Sequence, residues 1–154
     1  GTPVLLGVDR LPSETFVQVP CESLRMKVDA FRSEVPPGSP FHTLLLRYVQ
    51  ALMNQISHSA ACNRLHSVEE RACRWLLMTR DRVDSDEFPL TQEFLSQMLG
   101  VRRASVSVVA AVLQKAGLIR YHRGKITILD RQGLEACSCE CYQVVQQQYT
   151  RLLS

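Results

Sequence analysis

Apolar positions along this chain recur mostly at the three-and-four spacing of amphipathic helices, with strict alternation confined to short stretches. The longest periodic segment, about Phe41 to Asn63, opens at Ser39-Pro40, a capping serine followed by proline at the first helical position. It carries two apolar stripes, one of Leu45, Tyr48 and Leu52, the other of Leu46, Val49, Met53, Ile56 and Ala60. A helix apolar on two sides must be covered on two sides. One stripe is therefore expected on its own chain and the other on a second copy, and burial of the whole helix within one domain is the alternative. Leu45, Tyr48, Leu52, Met53 and Ile56 are the expected contacts of such a dimer. Upstream, Glu14 to Val19 alternates and is rich in β-formers, which predicts a strand. A second short strand is expected over Leu24 to Met26, and a short helix over Val28 to Val35 that PPGSP (Pro36 to Pro40) stops.

Downstream, Ser67-Val68-Glu69-Glu70 is a capping box, predicting a helix to about Arg82 with Ala72, Trp75, Leu76 and Thr79 facing a core. The polar segment DRVDSDE ends it. Thr91 then caps a helix through Leu99, and Gly100 supplies the positive φ that a sharp helix–helix turn needs. A second helix is predicted from about Arg102 to Lys115. Leu95 and Leu99 before the turn, Val101, Val106 and Val109 after it, and small Ser96 at the closest approach let the two helices cross steeply. On the second helix Val106, Val109, Ala110 and Leu113 converge on the core face. Ala104, Ser107, Val108, Ala111 and Lys115 point the other way, flanked by Arg103 and Ser105. Leu118 to His122 and Lys125 to Leu129 alternate as a hairpin about Arg123-Gly124, and Asp130 caps a last helix expected to reach about Leu153. The pattern is that of a mainly α chain with a small β component, ending in a winged helix-turn-helix.

Composition changes this picture little. At 154 residues, 45% hydrophobic and 21% charged, the chain is ordinary for a globular protein. No apolar run approaches the roughly 18 residues of a membrane span. GTPVLLG lacks both an initiator Met and the basic start of a signal peptide, so the chain is expected to be an excised piece of a cytoplasmic protein. Charge placement says more than the net +3. Between Leu90 and Lys125 the cations Arg102, Arg103, Lys115, Arg120, Arg123 and Lys125 face Glu93 alone, which points to a polyanionic partner; a solvated charged face is the plain alternative.

An outward helical face that is small and apolar, with two arginines at its N-terminus, suits a DNA major groove better than water. There the helix N-terminus and Arg102 can meet phosphate, and Arg103 can reach guanine O6 and N7. Ser105 can bond to a base edge or phosphate, and Ala104 and Val108 can touch thymine methyls. Thr91 and Gln92 of the first helix, with Ser107 and Lys115, complete the expected surface. The basic tip His122-Arg123-Gly124-Lys125 would track the backbone, adding affinity rather than sequence choice.

At this point LTQEFLSQMLGVRRASVSVVAAVLQKAGLI followed by a β-wing resembles the C-terminal domain of Crp/Fnr-type bacterial transcription regulators. The long helix resembles that family's dimerisation helix, and ETFVQVPCESLRMKVDAFRSEV the last strands and following helix of its β-roll sensor. The resemblance implies residues 1–38 as a sensor remnant, 39–65 as the dimerisation helix and 66–154 as the DNA-binding domain with its C-terminal helix. It further implies a homodimer on double-stranded DNA, RNA polymerase as a candidate partner, no membrane association and a cytoplasmic location. Two departures stand out. Cyclic-AMP-binding members carry an Arg-Ser pair before the strand that begins here at Thr15-Phe16-Val17, and this chain has Ser13-Glu14. A carboxylate there repels a cyclic phosphate, so cyclic-nucleotide binding is not expected; the sensor itself is incomplete, and no cofactor is expected in this fragment. Ala104 and Val108 stand where well-known members read bases with Glu and Arg, so the operator sequence does not carry over.

Six cysteines invite a metal or redox reading, with Cys137-x-Cys139-x-Cys141 as the tempting cluster. On one continuous helix Cys137 and Cys141 share a face and Cys139 points nearly opposite, so three thiolates cannot converge on a zinc ion. Free thiols buried as small apolar side chains are expected, with no metal ligand among them. His42, His58, His66 and His122 are scattered without metalloprotease spacing, and there is no glycine-rich phosphate loop. No catalytic residue is assigned, and the chain reads as a non-enzyme. A protein-interaction or thiol- and metal-sensing module of the same fold is the competing reading.

Overall fold

A computed structural model describes residues 1–154 except 9, 11–13 and 16. The described chain forms two units, Gly1–Ile56 with Val145–Ser154, and Ser57–Val144. Its first helices are α1 (Thr2–Leu5), α2 (Val28–Glu34) and α3 (Pro40–Leu65), and α3 contributes to both units. The cap reads as predicted: Ser39 Oγ accepts from the His42 N–H at 3.3 Å, with Pro40 opening the helix.

In the first unit the last helix, α8 (Cys141–Leu153), lies along α3. Tyr149 meets Tyr48 edge-on, with centroids 6.4 Å apart, and its hydroxyl donates to Gln55 Oε1 at 3.0 Å. Val49 and Ala51 are buried there, while Leu46, Met53 and Ile56 stay exposed. Neither the described residues of Glu14–Val19 nor Leu24–Met26 form a strand, and Leu24 is fully exposed. A strand needs a ladder partner for its backbone groups, and among the described residues of this unit none exists. Phe16 lies outside the described residues, as does Ser13 of the Ser13-Glu14 pair; Glu14 is exposed.

The second unit is built around α4 (Val68–Val83). Its capping box is complete: Ser67 Oγ accepts from the Glu70 N–H at 3.2 Å, and Glu70 Oε2 accepts from the Ser67 N–H at 2.7 Å. Against α4 pack α5 (Gln92–Leu99), α6 (Arg103–Lys115) and α7 (Arg131–Cys137), burying Leu76, Leu77, Val106, Leu113, Ile126 and Leu134 almost completely. A polar network fastens α7 to α4. Arg131 pairs with Asp81 at 2.9 Å and Glu135 at 2.8 Å, and the Tyr142 hydroxyl donates to Asp81 Oδ2 at 2.7 Å.

A three-stranded antiparallel sheet in the order β1 (Glu87–Pro89), β3 (Lys125–Ile128), β2 (Ile119–His122) closes the unit. The β2–β3 hairpin falls where alternation placed it, and Arg123 and Gly124 both take positive φ, 47° and 75°, as a two-residue type I′ turn demands. Strand β1 begins at the last residue of the polar segment DRVDSDE, for which no strand was expected. Three residues show no alternation, and the strand exists because Phe88 drops into the core opposite Ile126.

The C-terminal helix is also corrected. Instead of one helix to Leu153 the chain breaks after Cys137: Ser138 turns extended, at φ −84° and ψ 157°, and α8 restarts at Cys141. Cys139 is thereby freed from the helical face that would have pointed it away from its neighbours.

Candidate nucleic-acid interface

The helix-turn-helix is assembled by local bonds and then locked onto α4. Thr91 Oγ1 accepts from the Phe94 N–H at 3.1 Å to start α5, and Gly100 ends it in the left-handed region at φ 63°. The guanidinium of buried Arg71 donates to the Leu99 carbonyl, satisfying an acceptor that the helix end leaves open. Ser96 is buried at the crossing, and its hydroxyl donates to the Glu93 carbonyl at 2.7 Å. Leu95, Leu99, Val106, Ala110 and Leu113 fill the shared interior, as their spacing predicted.

What α6 leaves outside is the predicted face. Arg102, Arg103, Ala104, Ala111 and Lys115 are exposed, and Val108 keeps 64% of its surface open. Ser105 is half-buried. Arg102 is the N-cap of α6, and its side chain does not cap, so the positive end of this helix is free for an anion. Gln92 and Ser107 are half-buried and brought together, with Ser107 Oγ donating to Gln92 Oε1 at 2.6 Å. They brace α5 against α6 beside the open face. Thr91 is exposed at the start of α5.

The wing is tied to α6 and to the segment that leads into α5. The Tyr121 hydroxyl donates to the Leu90 carbonyl at 2.8 Å, and the Tyr121 N–H donates to Gln114 Oε1 at 2.9 Å. Burial pushes the Tyr121 phenol up, which keeps it a neutral donor. At the tip His122 and Arg123 are exposed, while Lys125 pairs with Glu87 at 3.1 Å. Sequence reasoning missed Glu87 because it missed β1. The register Pro89↔Lys125 and Glu87↔Thr127 brings that carboxylate beside the wing. Two helices crossing at a glycine turn, with the second exposed and a basic hairpin behind it, form a complete winged helix-turn-helix.

Residues 70–137 match the family model of the Crp-like helix-turn-helix domain. Solved structures agree in fold. A transcriptional regulator of the CRP family from Thermus thermophilus is 25% identical, with a TM-score of 0.53, over 59% of this chain and 50% of its own. A protein described as a transcriptional regulator of the Crp/Fnr family from Eubacterium rectale is 22% identical, with a TM-score of 0.54, over 71% of this chain and 51% of its own. The chain thus spans about half the length of these relatives. Comparison with curated proteins gives no match. Among the described residues, no helix is long and apolar enough to cross a membrane.

Proposed function

We propose that this chain is the DNA-reading part of a transcription regulator that binds a two-fold-symmetric duplex site as a homodimer. The observation that carries the reading is the outward face of α6. Within the stretch that matches the Crp-like helix-turn-helix domain, α6 bears Arg102 and Arg103 at an uncapped N-terminus and an exposed small apolar surface at Ala104, Val108 and Ala111. Arg103 contacts guanine, Ala104 and Val108 meet thymine methyls, and Arg102 and the helix N-terminus take a phosphate. Lys115, His122, Arg123 and Lys125 supply sequence-independent attraction. Gln92 and Ser107 position the reading helix, and Thr91 and Ser105 lie within reach of the backbone.

Support for the dimer comes from α3. Leu46, Met53, Ile56 and Ala60 keep the a/d spacing of a coiled coil along α3, while Val49 of the same stripe is buried within the chain. Leu46, Met53 and Ile56 are exposed, and Leu45, Tyr48 and Leu52 flank them. Two copies packed along this seam offer two reading helices to successive major grooves, about 10–10.5 base pairs apart. RNA polymerase is the partner through which such a regulator acts, and no cyclic nucleotide is required.

Selection of binding sites from random duplex DNA tests the reading. A palindromic motif with half-sites one helical turn apart is the expected product. Enrichment of no motif at all, from protein shown to be folded, would overturn it and leave the Val108 face as a protein contact.

A further inference from the structure

We propose that Cys62, His66, Cys139 and Cys141 form a tetrahedral zinc site that clamps the two ends of the Crp-like domain together. The four ligand atoms all lie within 4.8 Å of one another. Cys62 Sγ is 3.5 Å from Cys139 Sγ, and Cys141 Sγ is 3.9 Å from His66 Nδ1. Zinc bonds of about 2.3 Å to sulfur and about 2.0–2.1 Å to nitrogen place tetrahedral ligand atoms about 3.5–3.8 Å apart, so the spacing fits one ion. An iron–sulfur cluster distributes its cysteines over several irons and needs them farther apart.

Four further observations point the same way. Cys62 and His66 are four residues apart at the end of α3, on one face, while Cys139 and Cys141 flank the break between α7 and α8. That break contains neither Gly nor Pro, and holding two ligands gives it a reason. Next, His66 Nε2 sits 3.2 Å from Glu140 Oε2, leaving Nδ1 turned toward the sulfurs; a carboxylate on the far nitrogen is the usual support of a zinc-bound imidazole. Third, Cys62, Cys139 and Cys141 are a buried cluster of their own, apart from the aliphatic core. Cys73, by contrast, packs inside that core as a plain small hydrophobe. Fourth, buried Arg74 reaches Ser59, one helical turn before Cys62 on α3, at 3.3 Å with its Nε unpartnered. Three thiolates, a neutral imidazole and Zn(II) sum to one negative charge, which a buried guanidinium offsets.

All four residues lie in the second unit and outside the Glu70–Cys137 match, so they bracket the domain instead of belonging to its shared core. Binding releases one proton from each thiol and oxidises nothing. Four protein ligands leave no open position, which makes the site structural. The proposal stands apart from the DNA-binding reading, because metal content is measured without DNA.

The test is metal analysis of the full chain, purified reduced and supplied with Zn(II), followed by exchange with Co(II). One zinc per chain is expected, and the cobalt form should show thiolate-to-metal charge-transfer absorption with intense tetrahedral ligand-field bands. Cys139→Ser with Cys141→Ser should lose the ion, Cys73→Ser should keep it, and Glu140→Gln should weaken zinc about 10–100-fold. If the serine variants fail to fold, the cobalt spectrum of the unaltered chain decides alone. Folded chain that takes up neither metal, or holds a Cys62–Cys139 disulfide instead, would overturn the site, as would stoichiometric zinc in the double variant.

Discussion

Arg103 and Lys125 carry the same charge and are expected to do different work. Arg103 stands exposed at the first turn of α6, whereas Lys125 lies on the wing with Glu87 as its partner. Arg103→Ala should cost about 1–3 kcal/mol on the preferred site and relax preference at one base, read by competition among single-base variants. Lys125→Ala should weaken every sequence alike and flatten the salt dependence by about one unit of slope. Glu87→Gln should act in the opposite sense, tightening binding to all duplexes, because it frees the Lys125 charge; an unchanged affinity would remove the wing from the interface. Burial provides a residue-level test of the core as well. It pushes the Cys73 thiol from 9.0 up to about 12, and burial with the Asp81 bond likewise raises Tyr142. Below pH 9 the thiol is neutral folded or unfolded; above it the unfolded chain ionises first. Stability should therefore fall as pH rises from about 9 toward 12, and Cys73→Ala should flatten that fall in alkaline denaturation curves.

At the scale of elements, what was legible in the sequence was what neighbours in sequence decide. Ser39-Pro40, the Ser67–Glu70 box, Thr91, Gly100 and Arg123-Gly124 each act within four residues of their own position, and each sits where the pattern put it. Strand β1 and the α7–α8 break depend on distant partners, Ile126 for one and the Cys62–His66 face for the other, so no local signal announced them. The strands expected near Thr15 and Leu24 failed for the converse reason, a local preference without a partner. The candidate DNA face was legible because helical periodicity separates Val106 from Val108; the brace of Ser107 on Gln92 was not, since it joins two helices. Two predictions belong here. Gly100→Ala meets open space but must hold a Cβ at φ 63°, so it should cost about 1–2 kcal/mol in thermal or urea unfolding. Ile56→Lys with Met53→Lys, both on the exposed seam of α3, should convert dimer to monomer in sedimentation analysis while leaving helix content unchanged.

The whole molecule joins a periodic helix suited to self-association with a Crp-like domain whose reading face is less polar than the arginines beside it. On the proposed reading, most of the attraction to DNA comes from phosphate contacts, and choice of sequence from Arg103 and a few methyl contacts. Titration of the selected duplex and a scrambled control with the full chain, across a range of salt, tests this most directly. Affinity should fall about 10³–10⁵-fold between about 50 and 200 mM salt if about 6–10 phosphates are engaged. The selected site should bind at least about 10³-fold more tightly than the control, at two chains per duplex. Binding that ignores salt, or that is equal for both sequences, would contradict the account.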